Sequence, residues 1–136
     1  MSDESQNMST KELSRGIERF EDLIAWQKSR TLVREIYKAT RNSSSCCDPR
    51  LIWQLQSAAV STMANVAEGY ERATPGAFHH FLGVVKASCA EVRSHLYVAL
   101  DTGSLDKKEA ERLLQSAEEV GRIIGGLRIA VAKRRR

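Results

Sequence analysis

The chain has 136 residues, 42% of them apolar and 28% charged, with a net charge of +4 and three cysteines. This is the profile of one ordinary soluble globular domain with room for a real core. It excludes a membrane span, since no apolar run approaches the ~20 residues required, and a disulfide scaffold or zinc finger, since no cysteine spacing fits either.

Residues 1 to 17 read as a flexible polar tail and residues 18 to 136 as the folded domain. The opening "MSDESQNMSTKELSR" has acids where a signal peptide would carry bases and an apolar stretch, so a cytoplasmic protein with reduced thiols and no membrane partner is expected. Residues 1 to 22 hold the acids Asp3, Glu4, Glu12, Glu18, Glu21 and Asp22 against the bases Lys11, Arg15 and Arg19. The basic excess therefore lies in the remainder, which closes on "AKRRR". Such a body suggests a polyanionic partner, although solubility alone would explain the same balance.

A first helix is expected over about residues 20 to 41, with Trp26, Val33, Ile36, Tyr37 and Thr40 inward and Arg30, Arg34, Lys38 and Arg41 in one outward stripe. The turn "RNSSSCC" follows, carrying the adjacent Cys46 and Cys47. Asp48 before Pro49 starts a second helix, to about residue 72, because proline at the first helical position lacks only an N–H that has no partner there. Thr74 before Pro75 starts a third, to about residue 101, with Phe78, Phe81, Leu82, Val85, Cys89, Val92, Leu96 and Ala99 on one side. After "DTGSL", Asp106 and Glu109 form a capping box for a fourth helix to about residue 133, in which Leu113, Ala117, Val120, Ile124, Leu127 and Val131 alternate spacings of four and three. No stretch alternates with period two over a strand's length. The expected fold is all-α, an antiparallel up-down-up-down four-helix bundle.

Helix two is apolar around most of its circumference. Ile52, Leu55, Ala59, Met63, Val66 and Tyr70 form its core face, Trp53, Val60, Ala64 and Ala67 one flank, and Leu51, Ala58 and Thr62 the other. One bundle covers one side, so a second subunit is the natural cover for the rest. The remaining polar stripe is Gln54, Ser57, Ser61, Asn65, Glu68 and Arg72. It has two readings: a solvated face with an i,i+4 Glu68–Arg72 pair, or a seam at a subunit contact, facing Ser88, Glu91 and His95 of helix three. Gly69 costs about 1 kcal/mol relative to alanine within a helix, which favours the seam because glycine is most useful where another backbone comes close.

"FEDLIAWQKSRTLVREIYKAT", "QLQSAAVSTMANVAEGYER" and "FHHFLGVVKASCAEV" resemble the four-helix proteins encoded by intervening sequences within bacterial 23S ribosomal RNA genes. The matching positions are Phe20, Leu23 and Trp26; Gln54, Ser61, Asn65, Ala67, Glu68, Gly69 and Arg72; and Phe81, Leu82, Ser88 and Glu91. The resemblance runs over about residues 20 to 131 and implies a four-helix protomer in a ring-like homopentamer, with the signature Ser61, Asn65, Glu68, Gly69, Arg72, Ser88 and Glu91 in structural roles. "EEVGRIIGGL" has a more distant likeness to the pentameric accessory variability proteins of diversity-generating retroelements, which bind RNA and a reverse transcriptase. The chain departs from the family pattern at "SSSCCDP" before helix two, at Gln56 and Ser57 where many members carry arginines, and at Val85 and Ala87.

No motif implies catalysis, a metal or a cofactor. His79 and His80 are adjacent and point about 100° apart on a helix, unlike an i,i+4 metal pair. Glu68 and Glu91 lack the signature of a concave acid–base site. The G-x-x-x-G of Gly121 and Gly125, with Gly126 beside it, sits among charged neighbours, which points to close packing of soluble helices over membrane association. The candidate nucleic-acid residues are Arg30, Arg34, Lys38 and Arg41 on helix one and Arg128, Lys133, Arg134, Arg135 and Arg136 toward the end of the chain. A solvated basic face is the ordinary role of such stripes, but copies repeated around a ring would sum to a strong field. No interleaved aromatic platform is present to read bases, so binding would be salt-sensitive and poor at sequence discrimination. Two classes of function remain: a non-enzymatic homo-oligomer that binds RNA or an RNA–protein complex, and an oligomeric adaptor that recruits a protein without nucleic acid.

Overall fold

The computed structural model describes residues 16–42 and 48–134. The expected tail lies almost wholly outside the described residues, as do Cys46, Cys47, Arg135 and Arg136. The described residues form four long helices and no strand: α1 (Ile24–Asn42), α2 (Pro49–Glu71), α3 (Pro75–Asp101) and α4 (Lys107–Arg134), preceded by a 3-10 turn at Phe20–Asp22. That turn takes up the segment read as the start of helix one, so α1 begins at Ile24. α1 packs on α2 and α4, α2 on α3, and α3 on α4.

The helix starts follow from local chemistry. Asp48 accepts from the Arg50 backbone N–H at 2.8 Å, Thr74 from that of Ala77 at 3.2 Å, and Asp106 from that of Glu109 at 2.8 Å. Each satisfies a donor that the first turn leaves without a partner. The bond from the Arg50 backbone N–H, with the Arg50 guanidinium beside it, holds the Asp48 carboxyl below its usual pKa. The capping box at α4 is only half formed, because the Glu109 carboxylate is taken by Arg112 at 2.8 Å. Two of the helices end through left-handed residues. Gly103, at φ 73°, lets the Ser104 N–H reach the Ala99 carbonyl at 2.9 Å and places Leu105 in the core. Ala73 does the same work after α2 at φ 65°, where a Cβ is unfavourable.

The core is continuous. α3 contributes Phe78, Leu82, Val85, Cys89, Val92, Leu96 and Ala99, and α4 contributes Leu113, Ala117, Val120, Ile124, Leu127 and Val131. These agree with the spacing, apart from Phe81, which is half-buried. The two earlier helices are rotated from their expected orientation. α1 buries Ala25, Ser29, Leu32, Ile36 and Ala39, while Trp26 and Val33 are half-buried and Tyr37 is exposed. α2 buries Leu55, Ala58, Ala59, Thr62, Val66 and Gly69, leaving Trp53, Val60 and Ala64 outside. Small and hydroxyl side chains decide both rotations. Ser29, Thr40 and Thr62 return their hydroxyls to the carbonyls of Ala25, Ile36 and Ala59 at 2.6 to 2.8 Å, so burial leaves no polar atom without a partner.

At Gly69 α2 and α3 approach too closely for a side chain. A Cβ there would lie 2.6 Å from the Phe81 Cβ and 3.2 Å from the Phe78 ring. Gly121 and Gly125 differ, since a Cβ on either meets nothing nearer than Cys89 at 4.0 Å or the Lys86 amine at 3.7 Å. The neighbours of this G-x-x-x-G stand at ordinary contact distance, so no clash within the protomer requires glycine at either position.

Three substitutions test these backbone arguments by thermal and denaturant melts. Gly69→Ala is expected to destabilise by about 1–3 kcal/mol, as overpacking does. Gly125→Ala is expected to stabilise by up to about 1 kcal/mol through helix propensity. Ala73→Gly should also stabilise, by roughly 1 kcal/mol, by relieving the left-handed turn.

Candidate functional site

The polar stripe of α2 divides into an inner and an outer half. In the inner half the Ser61 and Ser88 hydroxyls meet at 2.9 Å across α2 and α3, and the Asn65 amide donates to the Ser61 carbonyl at 2.8 Å and to its hydroxyl at 3.0 Å. Ser88 is buried and the other two are half-buried. In the outer half Arg72 donates to Glu68 at 3.1 Å, with both side chains about half exposed, and the guanidinium lies 5.2 Å from the centre of the Phe81 ring. Tyr70, between them, stacks edge-on to Phe78 at 5.9 Å and donates its hydroxyl to the Ile17 carbonyl, pinning the lead-in to α1. Burial raises the pKa of that phenol. Ser88 thus joins the stripe inside one chain, whereas Glu91 is exposed on α3 and His95 is half-buried.

The basic residues singled out from sequence lie apart from this cluster. Arg30, Arg34, Lys38 and Arg41 are exposed along α1, with the Arg30 guanidinium 5.6 Å from the centre of the Trp26 ring. Lys133 and Arg134 are exposed at the end of α4. Arg128 is half-buried: its Nε donates to the His79 carbonyl at 3.2 Å and its guanidinium fills the space beside Gly83.

Sequence reasoning missed a channel between α3 and α4. It is an open groove of about 440 Å³ lined by Lys86, Arg93, Glu118, Arg122, Ile129 and the glycines Gly121, Gly125 and Gly126. A second concavity, sharing Lys86, Gly125 and Ile129, extends it past Arg128 to His79 and Lys133. Lys86 and Arg93 both act on the buried Cys89 thiol beneath, but burial dominates and pushes that thiol up to about 11, so it is neutral near pH 7 and no nucleophile. The signal available in sequence was the pair of unexplained glycines with Arg122 between them.

A second feature is apolar. Trp53 is 66% exposed, and with Val60 and Tyr37 it borders a concavity that also includes Gln56 and Ser57. Among the described residues no cluster of three or more His, Cys, Asp or Glu could hold a metal, and no helix is long and apolar enough to cross a membrane.

Among the described residues these features define an all-α four-helix protein. The chain belongs to the 23S rRNA-intervening sequence protein family, whose model matches residues 21–126. No curated protein matches it.

Two substitutions separate the halves of the stripe. Ser88→Ala removes the partner of Ser61 at a buried position and is expected to cost about 1 kcal/mol. Glu68→Gln breaks a half-exposed pair and should change the melt of an isolated protomer by no more than ~0.5 kcal/mol. A larger loss for Glu68→Gln that grows with protein concentration would place the outer half in a subunit contact.

Proposed function

We propose that the protein is a non-enzymatic, cytoplasmic homo-oligomer, a ring of five protomers, that binds RNA or an RNA–protein complex through its basic surfaces. The observation that carries self-association is the exposed Trp53, 66% accessible beside Val60 and Tyr37. A large aromatic side chain clustered with further apolar surface is what interfaces bury at their centres. Family membership supports the same reading, as does the exposure of Ala64 on the same side of α2.

The protomer in this reading is an antiparallel up-down-up-down bundle over residues 18 to 136 with a polar tail before it. Contacts that step in opposite directions support it. Ser61 meets Ser88 while Gly69 meets Phe81, and Lys28 pairs with Glu119 while Glu35 pairs with Arg112. With that arrangement the basic stripe of α1 and the basic end of α4 run toward opposite ends of the protomer. The family-signature residues act as scaffold, with Gly69 setting the approach of α3, Ser61, Asn65 and Ser88 closing the seam, and Glu68, Arg72 and Glu91 at its outer edge. RNA binding is supported by the exposed bases Arg30, Arg34, Lys38, Arg41, Lys133 and Arg134.

Light scattering at micromolar concentration tests assembly, with a mass of five protomers expected and a monomer excluding it. Ala64 is exposed in the protomer, so Ala64→Glu should leave the helices intact while dissociating the assembly, because an unpaired charge in a closed apolar contact costs several kcal/mol. A salt titration of binding to unrelated RNAs tests the ligand. Affinity falling linearly in log–log form with salt is expected, and absence of binding at low salt would favour a protein-recruiting adaptor.

A further inference from the structure

We infer that the channel between α3 and α4 is a track for the phosphates of a single nucleic-acid strand, gripped by Lys86, Arg93, Arg122 and Arg128. The inference rests on the nucleic-acid reading above and assigns its principal contact to a surface other than the α1 stripe or the chain's end.

Three observations converge on it. The first is unbalanced charge. Lys28, Arg50, Arg72 and Arg112 each pair with an acid, whereas Lys86, Arg93 and Arg122 make no ion pair or hydrogen bond among the described residues. Cations gathered in a concave surface without counter-charge produce a focused positive potential that an anion relieves. Glu118 is the acid in the lining.

The second is the floor. A Cβ on Gly121 or Gly125 would meet only Cys89 at 4.0 Å or the Lys86 amine at 3.7 Å, ordinary contact distances, yet each glycine costs about 1 kcal/mol relative to alanine inside a helix. Packing within the protomer does not require them. Their missing side chains deepen the channel and let a ligand's backbone approach that of α4, the use to which glycine is put at phosphate sites.

The third is spacing. Arg128 stands against Gly83, Lys86 against Gly125, and Cys89 against Gly121, so the two walls deliver cations in succession along the channel. From His79 to Arg93 the α3 wall is about 21 Å long at 1.5 Å per residue. An open, elongated line of cations suits a chain of phosphates better than one phosphate, which would call for a closed cradle. A single line follows one strand, whereas a duplex presents two backbones. Arg128 is held in place by the His79 carbonyl. The exposed Ile129 and the absence of a stacking aromatic in the lining leave bases unread, so recognition falls on the sugar–phosphate chain.

Fluorescence anisotropy tests this on the full chain, using labelled single strands of RNA and of DNA of about 20 nucleotides across a salt series, with polyglutamate as competitor. The parent is compared with Lys86→Gln/Arg122→Gln, with the control Lys107→Gln/Lys108→Gln at the exposed start of α4, and with Gly125→Leu, each checked for its melt and its mass. The channel pair is expected to weaken binding by about 10-fold or more at low salt and to lower the slope of log K against log salt by about 1.4, two single-strand contacts at ~0.7 each. Gly125→Leu should weaken binding without lowering the melt, and the Lys107→Gln/Lys108→Gln control should bind within about 2-fold of the parent. Equal affinity for the two strands assigns recognition to phosphates, and tighter RNA binding adds contacts to the 2′-hydroxyl. Channel variants that bind like the parent would overturn the inference while leaving nucleic-acid binding in place. Competition by polyglutamate as strong as by RNA would replace the strand with an acidic protein, and a changed mass in the channel variants would replace it with a second copy of this chain. A parent that binds neither strand defeats the broader reading first.

Discussion

The approach of α3 to α2 at Gly69 is the constraint on which the rest of the structure depends. With the Phe81 Cβ only 2.6 Å from where a Cβ of residue 69 would stand, hydrogen is the one side chain that fits. That separation sets the neighbours on either side. Two turns earlier in α2 it lets two short hydroxyls, Ser61 and Ser88, reach each other at 2.9 Å, where a wider gap would have left a buried hydroxyl without a partner. One residue later it seats Tyr70 against Phe78 with its hydroxyl on the Ile17 carbonyl. The contact that fixes one helix pair therefore also fixes how the chain enters α1.

The same constraint explains which parts of the fold were legible in sequence. α3 and α4 show themselves because the residues they bury are mostly branched aliphatics at spacings of three and four, with charged residues opposite. α1 and α2 do so less, because Leu32, Ile36, Leu55 and Val66 share their inward faces with Ala25, Ser29, Ala58, Ala59, Thr62 and Gly69, which hydropathy ranks low and close packing favours. Tyr37 ranks high by size and was expected inside, yet it is exposed, as is Trp53 on the flank of helix two set outside its core face. A helix that is apolar nearly all round has no preferred direction on a wheel. The direction comes from where small residues permit approach, and Gly69 in the "NVAEGYER" segment was the sequence's one direct statement of it.

Charge is arranged by helix pair rather than by helix. The α1–α4 side is neutralised, with Lys28 on Glu119 and with Arg112 shared between Glu35 and Glu109. The shared carboxylates hold the Arg112 guanidinium protonated well beyond any physiological pH, with the Glu109 hydrogen bond the larger influence. The α3–α4 side receives bases from both helices and little acid to meet them. No periodicity along the chain reveals this, because Lys86 and Arg93 read as ordinary exposed residues of one helix and Arg122 as one of another, while Arg128 was grouped with the basic end of the chain. Only the packing of the two helices turns four unremarkable residues into one field.

The glycines of α4 connect the packing to that field. Gly126 is buried and Gly121 and Gly125 are half-buried, and all three line the channel. A helix shaped by protomer stability alone would carry alanine at the two half-buried positions, where nothing within 3.7 Å forbids a methyl group and helix propensity rewards one. Gly69 relieves a clash, and its cost is offset by the contacts it permits. Gly121 and Gly125 relieve none inside the chain, so whatever offsets their cost lies outside it, along the surface where the unpaired cations stand.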